Sequence, residues 1–182
     1  MEDYSTHVRR KDRQELDPAF LKNLLENTVS CTIAIERPGY PLNHIAFFAY
    51  EETTNEIVFH FSKHGYAGDE ITDGKKASVA VYKYGKLYTA RRATDFGCEY
   101  QSVILYGTIR IINDEKERLK SLDLFFNKFF SAVPKDQYSA FTAQEAKPVH
   151  VARIKIENWL GKQHLVPDLA LEAFDSPLKP TI

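Results

Sequence analysis

Between residues 30 and 61, stretches rich in β-branched and aromatic residues are joined by connections of only a few residues. That spacing constrains the fold more than any other feature. A parallel crossover needs a dozen or more residues, so strands joined this tightly run antiparallel. Ser30 to Glu36 reads as a first strand, Arg37 to Pro41 as a turn, and Asn43 to Tyr50 as a second strand. Glu52 to Asn55 is a second turn and Glu56 to Phe61 a third strand. Ala77–Tyr82 and Lys86–Ala90 read as two strands around a Tyr84-Gly85 turn, and Glu99 to Ile112 as one long strand. Gly107 inside that strand marks a bulge or a close approach of backbone. Val149 to Ile156 alternates and supplies a last strand.

Helical signals lie outside these runs. Asp17 and Pro18 have the chemistry of an N-cap and a first helical turn, and Phe20, Leu21, Leu24 and Leu25 follow as a stripe. Gly65 to Gly74 has room for a short helix. Asn113 or Asp114 caps a longer one, whose Leu119, Leu122, Phe126 and Phe129 share a face that Phe125 and Phe130 widen. These phenylalanines read as core between helix and sheet. The resulting expectation is an α+β chain: a small barrel of six or seven antiparallel strands in a meander of hairpins, with helices outside it. Residues 1–16 are charged and read as a solvated N-terminal arm. Residues 17–166 form the domain, and 167–182, with three prolines, a wrapping tail.

Composition removes several function classes. The 182 residues carry 24 basic and 25 acidic side chains, so bulk attraction to nucleic acid or to anionic membrane is not expected. No apolar run approaches the ~20 residues of a membrane span. Two cysteines, Cys31 and Cys98, with no export signal ahead of them, read as reduced thiols in a cytoplasmic protein. Neither a GxGxxG nor a GxxxxGK[ST] loop occurs, and HExxH and GxSxG are absent. Of six histidines only His60 and His64 share a local spacing, and on a strand this does not converge on a metal. Twelve Phe, ten Tyr and one Trp make 13% of the chain aromatic, enough for a core and for walls around a flat ligand.

Three segments carry a resemblance. They are Ile57-Val58-Phe59-His60-Phe61-Ser62-Lys63-His64-Gly65, Tyr100-Gln101-Ser102-Val103-Ile104-Leu105-Tyr106-Gly107 and Ile156-Glu157-Asn158-Trp159-Leu160-Gly161-Lys162. In this order and at these separations they resemble the pyridoxamine 5'-phosphate oxidase-like FMN-binding split-barrel family, and within it the Nim-type (nitroimidazole-resistance) branch. Pro41 to Tyr50 is similar to the family's second strand. The resemblance implies a six-stranded antiparallel split β-barrel and FMN at the interface of a homodimer, with a small-molecule substrate. It also implies cofactor contacts from His60, Ser62, Lys63, Gly65, Tyr100, Ser102 and Trp159; beside the ring, the imidazole of His60 has the chemistry of a catalytic acid or orienting group. Read without the family, Ser102 is a strand hydroxyl, Trp159 a core anchor and His60 a structural histidine.

The chain departs from the family pattern at informative places. The basic residue that the superfamily usually has two positions after the loop glycine is Ala67 here. A dianionic phosphate still requires positive charge, and Lys63, Lys75, Lys76 and the Arg91-Arg92 pair are the candidate replacements. Ile45 stands where the second strand commonly has a proline. Gln163-His164-Leu165 replaces the arginine-rich ending of the true oxidases, which argues against vitamin B6 oxidation. The expected function is an FMN-dependent reductase of small electron-poor, nitroaromatic-type substrates. A non-catalytic flavin or haem binder, with His60 or His64 as axial ligand, and a dimer without cofactor are the alternatives.

Overall fold

Residues 8–178 are described by the structure, a computed structural model. Residues 1–7 of the arm and 179–182 of the tail lie outside them. In chain order come β1 (Gln14–Glu15), α1 (Pro18–Glu26), β2 (Ser30–Ile35), β3 (Leu42–Phe47), β4 (Ala49–Glu51) and β5 (Glu56–Ser62). Then follow α2 (Tyr66–Glu70), β6 (Lys76–Thr89), β7 (Gly97–Ile111), α3 (Glu115–Phe130), β8 (Val149–His164) and β9 (Glu172–Phe174). Both capping predictions hold. Asp17 accepts from the Ala19 amide at 2.9 Å and Asp114 from the Glu117 amide at 2.8 Å, each satisfying an orphan donor of a first turn. Among the described residues no helix is long and apolar enough to cross a membrane.

All pairings are antiparallel, in the order β3-β2-β6-β7-β8-β5-β4, with β1 added to β8 and β9 to β6. The ring closes through one extended segment. Its first half, β3, bonds to β2, and its second half, β4, bonds to β5; the fully buried Phe48 is the pivot between them. Counting that segment once leaves six barrel strands, and the arm and tail contribute the short extra ones. The chain is thus an α+β split barrel, as the resemblance implies. Its order is not a simple meander, because β2 pairs with β6 and β5 with β8 across intervening elements.

Three further expectations are corrected. Tyr84-Gly85 is not a hairpin turn: β6 runs unbroken from Lys76 to Thr89 along β7, with a register shift between Tyr84 and Leu87. A long partner strand carried the pairing past a glycine that reads locally as a turn. Within residues 8–16 the arm is solvated at Arg9 to Asp12 but not throughout, since Val8 is buried and Gln14 and Glu15 pair with Lys162 and Gly161. The α3 phenylalanines are not buried core. Phe125, Phe126 and Phe129 are half-buried and Phe130 is exposed, because the buried face of α3 is formed by Ser121 and Leu122. Gly107 fulfils both of its predicted roles. The β7–β8 register shifts there, and a Cβ would collide with the Lys155 carbonyl oxygen.

α3 is fastened to the barrel by charge. Arg153 of β8, 2% exposed, bonds Glu51, Glu56 (2.9 Å) and the Ser121 hydroxyl (2.8 Å). Arg110 joins Glu117 to the same group at 2.7 Å, and Lys120 reaches Glu51 at 2.8 Å. At the other end of α3 the Lys128 ammonium donates to the carbonyls of Leu25, Thr28 and Phe48 at 2.6–3.0 Å. It thereby binds α3 to the end of α1 and to the barrel pivot. Burial lowers its pKa to about 8. Replacing one member of a buried ion pair leaves its partners uncompensated. Arg153→Ala therefore lowers unfolding free energy by about 3 kcal/mol, read by chemical denaturation.

Candidate functional site

Strand pleating divides every barrel residue between two faces. Across β3-β2-β6-β7-β8 the inward row is His44, Ile33, Val79, Leu105 and Trp159, by direct pairing. Together with Phe59, Phe61, Ile57, Val103 and Ile154 these side chains fill the barrel. The adjacent outward row is Ile45, Thr32, Ala80, Ile104 and Leu160. Next to it lie Asn43, Ala34, Ser78, Tyr106 and Asn158 on one side, and Tyr82, Ser102 and Lys162 on the other. Beyond those, Tyr84, Tyr100 and His164 pair in register. This outward face is small or aromatic over most of its area, and Ile45 and Tyr82 are 76% and 67% exposed. A groove of about 630 Å³, within the range of small-molecule and cofactor sites, opens on it beside Ala34, Ser78, Tyr106 and Asn158.

The sequence-predicted residues separate into three groups. Tyr100 and Ser102 lie on the outward face, and pairing sets Ser102 between Tyr82 and Lys162. Trp159 points the other way and packs against the barrel core. His60 lies on a third surface, under α3, where its ring meets Phe125 nearly edge-on at 4.7 Å. Ser62, Lys63 and Gly65 continue from it into α2. The Ser62 hydroxyl accepts from the His64 amide at 3.1 Å, and Gly65 takes a φ of +84° that favours glycine at the helix entry. His60 pairs with Val151 and Ser102 with Lys162, eleven residues further along β8. That separation is about 36 Å of extended strand. Within one chain the two ends do not meet.

Most of the candidate phosphate cations are already engaged. Lys75 donates to the Glu70 carbonyl at 2.7 Å, and Lys76 to Thr108 at 2.7 Å and to Glu157 at 3.3 Å. Arg92 is held by both oxygens of Asp95. Lys63, Arg91 and Lys162 have no carboxylate within salt-bridge reach among the described residues. Of these, Lys162 stands beside Ser102. It belongs to the third motif segment but acquires this neighbour only through the β7–β8 register.

Burial holds His44, His60, His150 and His164 below the ordinary imidazole pKa of 6.5. Desolvation lowers His60, His44 and His150, the last also through the charges of Lys63 and Arg118. His164, whose Nε2 lies 2.7 Å from the Tyr88 hydroxyl, is lowered by burial and then by Arg13 and Arg10. At pH 7 these imidazoles are neutral, so His60 offers an N–H or a lone pair rather than a ready proton. The unfolded chain binds more protons than the folded one between the folded pKa values and 6.5, so stability rises with pH across that window. Denaturation midpoints therefore fall as pH drops from 7.5 to 5.5, and His60→Phe flattens part of that slope.

Comparison with known proteins places the fold. The chain is similar to the flavocytochrome Anf3 from Azotobacter vinelandii, with a TM-score of 0.79 at 22% identity, covering 94% of this chain and 77% of that one. It is similar to a FAD and heme binding protein from Mycobacterium smegmatis, with TM-score 0.74, 24% identity and coverage of 83% and 73%. A candidate 5-nitroimidazole antibiotic resistance protein from Bacteroides thetaiotaomicron matches with TM-score 0.64 and 16% identity, over 82% and 86%. The sequence matches no curated protein. The model of the family described as pyridoxamine 5'-phosphate oxidase matches residues 17–163, and the chain belongs to that family.

Proposed function

We propose that this chain is a flavoprotein that holds FMN on the outward face of β6, β7 and β8, between two copies of itself, and reduces small electron-poor substrates of the nitroaromatic type. One observation carries the reading. The barrel interior is filled, while the outward face combines a groove, small side chains, aromatic rings and an uncommitted cation beside a hydroxyl. The residues fit the group. Lys162 and Ser102 would hold the phosphate through charge-assisted hydrogen bonds. Tyr82, Tyr100, Ala80 and Ile104 offer a flat surface to the ring system. Bound FMN would supply hydride transfer from a reduced nicotinamide to the substrate.

His60 orients the substrate through its ring N–H, the role open to a neutral imidazole at pH 7. Because His60 and Ser102 pair with opposite ends of β8, a site that includes both draws them from different copies. Ile45, 76% exposed in the outward row that adjoins the groove, belongs to the surface a second copy would cover. The flavin and haem of the two most similar structures above support a redox cofactor in this chain.

Absorbance of the purified protein is the first test. Bands near ~450 nm indicate flavin, a Soret band near ~400 nm indicates haem, and neither favours a dimer without cofactor. Lys162→Ala weakens FMN binding about tenfold, the loss of one charge-assisted contact. His60→Ala retains FMN and loses turnover of nitro-compounds. A sedimenting monomer with FMN bound contradicts the interface site, and Ile45→Glu shifts the protein towards monomer if the reading holds.

A further inference from the structure

The phenylalanines of α3 serve two surfaces. Phe125 and Phe129 turn to His60 and Phe47, whereas Phe126 turns to Tyr138 and Phe141 in the segment after the helix. The Phe126–Tyr138 centroids are 4.7 Å apart, and Phe141 stands almost perpendicular to Phe126, at 83° and 5.8 Å. These rings form a corner that the barrel core does not cover, and Phe141 is 41% exposed. A cavity of about 360 Å³ opens at the corner and is lined by the same rings with Asp123, Asn127 and Lys135. Asp123 has no cationic partner within salt-bridge reach among the described residues.

We infer that this corner is a binding site for a small organic cation, a quaternary ammonium or a protonated amine. An aromatic face carries the negative part of the ring quadrupole, and several such faces around a cavity attract a weakly hydrated cation. The Asp123 carboxylate adds a charge of the matching sign at the wall, and the apolar rings accept the alkyl groups of the ligand. Neutral apolar ligands would gain only from the rings, and anions would be repelled by Asp123. Lys135 is the one lining group that opposes a cation. The sign of its effect therefore reports the sign of the ligand. The site is independent of the flavin reading, since it uses none of the outward-face residues.

The test is calorimetric titration of the full chain with choline, and with 3,3-dimethyl-1-butanol as its neutral isostere. Choline binds saturably, and the alcohol binds about tenfold more weakly. Asp123→Asn and Phe141→Leu each weaken choline binding several-fold to about tenfold, and Lys135→Ala tightens it. Both weakening substitutions are at exposed positions, and an unchanged melting temperature confirms that the fold is intact. Equal binding of the alcohol, weaker binding in Lys135→Ala, or no saturable choline binding overturns the inference. So does loss of self-association in Phe141→Leu without choline uptake, which would make the corner an interface between copies.

Discussion

The filled interior of the barrel is the constraint on which the rest of the structure depends. Ile33, Ile35, Ile57, Phe59, Val79, Val103, Leu105 and Ile154 are all without measurable exposure. Fully burying such side chains contributes roughly 1.5–3 kcal/mol each, and at native packing density no room remains for a planar ligand among them. Anything this chain binds must therefore lie outside the strands. Pleating then decides what the outside shows. Each inward aliphatic forces its neighbours outward, and on β6–β8 those neighbours include Ala80, Ser102, Tyr106 and Lys162.

Closing a barrel with one bent segment creates a second demand, which α3 meets. Phe48 separates the two halves of the closing segment, and its carbonyl is one of three accepted by the Lys128 ammonium. The ammonium also lies 3.8 Å from the centroid of the Phe48 ring, a cation–π geometry. Beside the turn that follows, Glu51 and Glu56 converge on Arg153. These contacts hold the helix over β5, and that position shields His60 and lowers its pKa. The electrostatics of closure and those of the candidate site are coupled through α3.

Local signals made much of the fold legible in the sequence. Asp17-Pro18 and Asp114 marked helix starts because capping is a local hydrogen bond. Gly107 marked a bulge because only glycine tolerates the approach of the Lys155 carbonyl. Pairing between distant segments was not legible. Tyr84-Gly85 reads as a turn until β7 is laid beside it, and Val8 reads as tail until it is buried. The same limit applied to the site. Ser102 and Tyr100 could be named from a motif, but Lys162 as their neighbour follows from register alone. The pleat then sends Trp159 to the opposite face from Ser102, which no motif can show. The aromatic surplus likewise divided into core, outward face and the corner beside α3.

A crystal structure of the protein grown with FMN tests the central claim most directly. The account predicts the ring system on the outward face of β6–β8, with the phosphate at Lys162 and Ser102 and a second copy closing the site. A ring bound under α3, a phosphate held away from Lys162, or a monomer with the cofactor exposed would contradict it.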